Sequence, residues 1–232
     1  MEVASESRTL PRPVTPPLSD LKDRESARRR NSKLSFGVVC SSNINRSMEA
    51  HVVLGNAGLN VESYGTGTNV RLPGRSAMEP QVFKFGTPYA QMYDAMSGNA
   101  DDQAFFTHNG VLQLCRRGAA VKLAPQRWQD TPNTDIANHD VVIAFEERIF
   151  DAVVDDLGTR EPDGLAPLLI ICLDTKDNPH EARLQGKIAL DLCWRLEHCD
   201  NLEEEHSEIL DQFEEERMTH TPIKLLYQLC YL

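Results

Sequence analysis

No stretch of this 232-residue chain approaches the roughly 20 consecutive apolar residues needed to cross a bilayer. The first thirty residues carry charges and prolines where a secretion signal would need an apolar centre. A soluble, intracellular protein without a membrane partner is the expectation. Cysteine motifs are missing as well. The six cysteines, at positions 40, 115, 172, 193, 199 and 230, form no C-x-x-C pair and have no histidine at zinc-finger spacing. Most lie in apolar surroundings, as reduced core thiols do, so no disulfide framework, no metal site and no cofactor are expected. Positive charge is also scarce: 24 Lys and Arg against 35 Asp and Glu leave a formal net charge of −11. The average surface therefore repels a phosphate backbone, which argues against direct nucleic-acid binding.

What is present suffices for one good core, since 41% of the residues are hydrophobic, and the length suits one domain with an appendage. Residues 1–33 hold four prolines, several serines and eight basic against five acidic residues, the composition of a disordered tail. Its run Arg28, Arg29, Arg30 reads as an import signal, as a phosphorylation site with Ser32, or as a solvated linker. Residues 34–232 form the folded domain. Strands are expected at 34–39, 60–65, 141–145 and 168–174, and helices at 47–58, closed by Gly58, and at 146–160. Their alternation predicts an α/β fold: a three-layer, doubly wound, mainly parallel sheet with helices on both faces. Asn178 should cap a further helix, with Pro179 in its first position and Glu181 closing a capping box. Leu184, Ile188, Leu192 and Leu196 are expected to line its buried face. An acidic helix and an apolar end, which adds a strand or packs on the sheet, complete the chain. Residues of about 70–135 are less regular, with helical pieces near PYAQMYDAM and GVLQLCRRG, and read as an insert decorating the sheet.

The segment CSSNINRS, residues 40–47, lies between the first strand and the first helix. A helix amino terminus presents unpaired N–H groups and a partial positive charge, so it receives anions and pushes a thiol toward thiolate. Cys40 is then a nucleophile. Arg46 can fold back and grip two phosphate oxygens with its planar fork, and Ser47 can hydrogen-bond the thiolate. Ser41, Ser42, Asn43, Ile44 and Asn45 let the loop amides converge on a phosphate, and the small and amide side chains among them can brace the loop. This is C-x5-R-[S/T], the signature of cysteine-based phosphatases. The alternative is an inert strand-end thiol beside a solvated arginine. Displacing a serine alkoxide also requires a proton donor. In a doubly wound sheet the donor must reach the crevice at the carboxyl ends of the strands. LLIICLDTKDNPHEA supplies Asp177, on the loop and able to swing over the phosphate, as general acid, and Asp174, at the strand end, in support.

VCSSNINRSMEAH, SYGTGTNVRLPG, YAQMYDAM, THNGVLQL, VVIAFEERIFDAVVDDL and DTKDNPHEA resemble, in order and spacing, the suppressor-of-SUA-seven family of RNA polymerase II C-terminal-domain phosphatases. The resemblance spans roughly residues 34–232. It implies a fold related to the low-molecular-weight tyrosine phosphatases, with a helical insert and carboxyl-terminal additions. It also implies a substrate, the fifth-position phosphoserine of the polymerase heptad followed by a cis proline, and a cysteinyl-phosphate intermediate. Further implied are a nuclear location and a role in mRNA 3′-end processing and transcription termination, alongside a cleavage and polyadenylation factor that includes a symplekin-like scaffold. Matching positions make Cys40 the nucleophile, Arg46 the clamp and Asp177 the acid, with Leu72, Pro73 and Leu114 walling the proline pocket. Leu114 stands where members of the family tend to have methionine, a volume-conserving change. Two other readings stay open on the residues alone: a tyrosine phosphatase or arsenate reductase of the same fold, and an inactive phosphopeptide-binding scaffold.

Overall fold

The structure, a computed structural model, describes residues 11–17, 19–21, 23, 26, 32–161, 166–218 and 223–232. Short runs of apolar, β-branched sequence become strands buried on both faces. The first half of the chain gives β1 (Ser35–Cys40), α1 (Arg46–Asn56), β2 (Asn60–Gly65), β3 (Val70–Leu72), β4 (Gln81–Phe83), α2 (Tyr89–Met96), α3 (Ala100–His108) and α4 (Val111–Val121). The second gives a short helix α5 (Asn133–Ile136), then β5 (Val141–Ala144), α6 (Glu147–Thr159), β6 (Pro167–Leu173), α7 (Pro179–Glu197), α8 (Leu202–Arg217) and β7 (Leu225–Tyr231).

The main sheet has the order β2-β1-β5-β6-β7. Its first four strands are parallel, and β7 runs antiparallel to β6 along the edge. Leu54 of α1, Leu192 of α7 and Phe213 of α8 pack on one face; Val153 of α6, Ile136 of α5 and Trp128 cover the other. The doubly wound, mainly parallel arrangement expected from the sequence is thus present. Because the strands are parallel, Cys40, Phe145 and Asp174 emerge at the same edge of the sheet, where the connecting loops meet.

Two local expectations need correction. Asn178 caps α7 as expected, accepting from the N–H groups of His180 and Glu181 at 3.1 and 2.9 Å. The reciprocal half of the capping box does not form: the Asn178 N–H donates to Lys176 O at 2.9 Å and Glu181 lies beside His180. Leu184 is 42% exposed instead of joining the buried face. Steps of four residues drift around a helix of 3.6 residues per turn, so a row from 184 to 196 leaves the core at one end. Ala182, Gln185 and Gly186 take the buried positions there.

The insert is more than a decoration. The hairpin β3–β4 and helices α2 to α4 enclose a third core of Val70, Leu72, Tyr89, Met92, Leu112 and Cys115, and Ile44 and Met48 from the first crossover belong to it. Of the amino-terminal stretch, Arg28–Arg30 lie outside the described residues. Arg12 makes a two-pronged ion pair with Asp94 of α2 at 2.9 and 2.5 Å. The Ser32 hydroxyl donates to Leu34 O at 2.7 Å and has the Glu197 carboxylate 3.2 Å away, a poor setting for a phosphoryl group. Among the described residues, no helix is long and apolar enough to cross a membrane.

Candidate active site

The loop from Cys40 to Asn45 leaves the carboxyl end of β1 and turns directly into α1. The first amide to be paired within the helix is that of Glu49, which donates to Asn45 O at 2.9 Å. Amides at the preceding positions have no such intrahelical acceptor, which makes this end electropositive. The turn needs one left-handed residue, Asn43, at φ 53°. Its side chain secures that conformation: Nδ2 donates to Ser47 Oγ at 3.1 Å and Oδ1 accepts from the Gln126 N–H at 3.1 Å. Ser47 Oγ in turn lies 3.1 Å from Cys40 Sγ. Gly65 at the end of β2 lets the neighbouring strand pass close behind, since a Cβ there would meet Ser41 O at 2.7 Å.

Arg46 is 2% exposed. Its Nη1 donates to Phe145 O at 3.1 Å, Glu146 Oε2 at 2.9 Å and Thr175 O at 2.9 Å, so it is tied to the residues that follow β5 and β6. Nε and Nη2 are buried and have no hydrogen-bond acceptor among the described residues; the Asp177 carboxylate approaches Nη2 at 3.4 Å as an ion pair. Burial opposes the Arg46 charge, but the fields of Cys40, Asp177 and Glu146 outweigh it and hold the guanidinium above its ordinary value. Burial likewise pushes the Glu146 carboxyl up, and hydrogen bonds from Arg148 and Arg46 overcome it, leaving that group below the usual glutamate value. Two donors on the free side of a planar guanidinium suit two oxygens of a phosphoryl dianion.

Asp177 reaches the same place from the loop after β6. Its Oδ1 accepts from Asn45 Nδ2 at 3.0 Å, and its side chain is 57% exposed, so it bridges the loop and the solvent side of the crevice. Asp174 does not join it: it is exposed and borders a groove with Glu146, Glu147 and Asp151. Thr175, between the two acids, turns the chain instead, with its N–H on Phe145 O at 3.2 Å and its Oγ1 on Leu173 O at 2.8 Å. The remaining loop residues act mainly through their backbones. The Ile44 side chain is buried in the insert core, and Ser42 Oγ accepts from the Arg71 N–H at 3.1 Å. Leu72 is buried at 2% exposure and Leu114 packs against the same core, while Pro73, the next residue, is exposed.

The family described as Ssu72-like protein matches residues 34–232. The chain belongs to that family. Proteins named SSU72, phosphatases of the RNA polymerase II C-terminal domain, are similar to it along most of their length. The one from Schizosaccharomyces pombe is 42% identical over 197 residues, 84% of this chain and 95% of the relative. The one from Danio rerio is 39% identical over 198 residues, 85% of this chain and 97% of the relative. In three dimensions the chain matches Drosophila melanogaster Ssu72 solved with Symplekin and a cis peptidomimetic CTD phospho-Ser5 peptide. The TM-score is 0.80 at 33% identity, covering 87% of this chain and 100% of that one.

Within this Ssu72-like site, three contributors carry no local sequence signal. Glu146 orients Arg46. Tyr89 of α2 donates its hydroxyl to Asn43 O at 2.7 Å. Arg117 of α4 donates through Nη2 to Ile44 O at 2.6 Å and Asn45 O at 2.9 Å. The other five cysteines lie away from the helix amino terminus that receives Cys40. All are free thiols, and burial pushes Cys115 and Cys172 up to about 12, Cys193 well above its ordinary value, and Cys199 and Cys230 above theirs.

Proposed function

We propose that this chain is a cysteine-dependent protein serine phosphatase that removes phosphate from the fifth-position serine of the RNA polymerase II C-terminal heptad. The observation that carries the reading is the meeting, at one helix amino terminus, of the Cys40–Ser47 pair, the tethered Arg46 guanidinium and the Asp177 carboxyl. Cys40 Sγ attacks phosphorus, the bond from phosphorus to the serine oxygen breaks, and Asp177 passes its proton to that oxygen. Water then attacks the cysteinyl-phosphate with Asp177 accepting its proton. Inorganic phosphate leaves, and the returning thiolate is met by the Ser47 hydroxyl. Arg46 and the loop amides hold the equatorial oxygens throughout, where charge is greatest.

The Drosophila relative's complex with a cis phospho-Ser5 peptide supports the same substrate here. Pro73, exposed beside the insert core to which Leu72 and Leu114 belong, is the wall we assign to the cis proline. That relative's complex with Symplekin likewise supports a symplekin-like scaffold as partner. A role on the transcription machinery supports a nuclear location and a part in 3′-end processing and termination. Arsenate reduction is disfavoured by the other thiols, which burial keeps protonated, since a relay needs a second reactive cysteine. The reading is tested by measuring phosphate release from heptad peptides phosphorylated at each position in turn. Release from the fifth-position peptide, lost in Cys40→Ser, is expected. Equal release from every position, or binding without release, would overturn it in favour of a general phosphatase or a scaffold.

A further inference from the structure

A loop whose amides converge on an anion must turn its carbonyls outward, and each outward carbonyl needs a donor. Around Cys40 these donors can be counted. Cys40 O accepts from the Thr66 N–H at 3.0 Å and Ser41 O from the Gly67 N–H at 2.9 Å, both on the chain that follows β2. Asn43 O accepts from Tyr89 Oη. The next carbonyl, Ile44 O, accepts from Arg117 Nη2, and Asn45 O takes the same nitrogen in addition to the Glu49 N–H of the helix. The second nitrogen of that guanidinium, Nη1, is held by Glu49 Oε2 of α1 at 2.5 Å. Both side chains of the pair are largely buried, at 18% and 16% exposure, so the arrangement is fixed by its surroundings and not by a solvated surface pair. Burial pulls the Arg117 guanidinium below its ordinary value, with Glu49, Tyr89 and Cys40 opposing the shift; the last of these places the guanidinium within the field of the reacting sulfur.

We propose that Arg117 is a positioning residue for turnover. It holds the Ile44 carbonyl, and together with the Glu49 N–H the Asn45 carbonyl, away from the phosphate site, so that the amides just beyond them face it, and couples the insert to the chemistry at Cys40. The inference rests on the phosphatase reading above. Arg117 touches neither substrate nor reacting atoms; it acts through the loop. Three acceptors on two converging directions require a planar fork, which a lysine ammonium satisfies only in part.

The test compares Arg117→Met, Arg117→Lys and Glu49→Gln with the wild-type chain, each checked for folding by melting temperature. A misplaced cradle should cost about 10- to 100-fold in kcat on the fifth-position phosphopeptide for Arg117→Met, with Arg117→Lys recovering part of it. A second readout needs no phosphatase activity. The rates at which Cys40 reacts with iodoacetate and with iodoacetamide are followed on its own peptide by mass spectrometry. The anionic reagent should be favoured in the wild-type chain, and that preference should fall in Arg117→Met. Folded Arg117→Met with kcat within about threefold of wild type, or with the reagent preference unchanged, overturns the proposal. If Arg117→Met does not fold, Arg117→Lys with wild-type kcat and wild-type preference does the same. A wild-type chain that releases no phosphate yet shows the preference and its loss would sink the phosphatase reading while sustaining the role of Arg117.

Discussion

The front and the back of the phosphate cradle are built on different terms. The front is local: Cys40, Ser47 and Arg46 lie within one strand-to-helix turn, and their spacing alone brings sulfur, hydroxyl and guanidinium to one helix amino terminus. The back is assembled from far away. Tyr89, Arg117 and the Gln126 N–H come from the insert, and Thr66 and Gly67 from the chain after β2. On the proposed function, chemistry resides in the first group, and the shape in which it operates is imposed by the second. Changes at the front should therefore remove activity and spare the fold, whereas changes at the back should cost both.

The sharpest version of that contrast is Cys40→Ser, which should lower kcat by on the order of 10^4- to 10^6-fold, the scale at which other enzymes lose their nucleophile. Its melting temperature should stay close to that of the wild type; a large drop would place the thiol in the structural group. Next comes Asp177→Asn. A loss of about 10^2- to 10^4-fold is expected on the phosphoserine peptide, against a much smaller loss on p-nitrophenyl phosphate, whose leaving group needs no proton. Equal losses on the two substrates would remove Asp177 from the acid role and leave it as a brace for Asn45 and Arg46.

At the back, Gly118→Ala is the direct probe. A Cβ at position 118 would stand 2.5 Å from the Tyr89 ring, pushing the hydroxyl off Asn43 O. A stability loss of about 1–3 kcal/mol is expected from the overpacking, together with a lower kcat, read by denaturant unfolding and by initial rates on the same preparation. Activity lost without stability would erase the distinction between the two regions. The smallest effect concerns Glu146, whose carboxyl is held below its ordinary value of 4.5 by Arg148 and Arg46 against the pull of burial. A depressed carboxyl stabilises the fold above its unfolded value and ceases to do so as pH falls through the lower folded one. Glu146→Gln should thus melt below wild type at neutral pH, and the gap should narrow below pH 4.5. A gap independent of pH would deny the ion pair any share in holding Arg46.

This division also accounts for what can be read from the sequence. Cys40, Arg46 and Ser47 are legible because a contiguous signature at a strand-to-helix turn states its own geometry. The approach of Asp177 to Arg46 and Asn45 is legible from its loop position. Asp174 reads as its support only because two acids three residues apart look alike until the chain between them turns at Thr175. The sheet and its flanking helices follow from the alternation of short apolar runs with longer periodic ones. Leu184 departs from expectation because a four-residue row drifts off a helical face. Tyr89, Arg117 and Glu146 are not legible at all. Two of them act on backbone carbonyls, which every residue possesses, and no spacing rule connects α4 to a loop some seventy positions earlier. The Ile44 side chain anchors the loop in the insert core, a role that only the packing discloses.

The three acceptors on Arg46 Nη1 have one more consequence, for inhibitors. A long side chain held in place before any ligand arrives has already lost its rotamer freedom, about 1.5–2 kcal/mol that a mobile arginine would lose at the moment of binding. Small tetrahedral oxyanions and compact phosphoserine mimics should therefore capture a large share of the available affinity, and lengthening them to order the clamp would gain nothing.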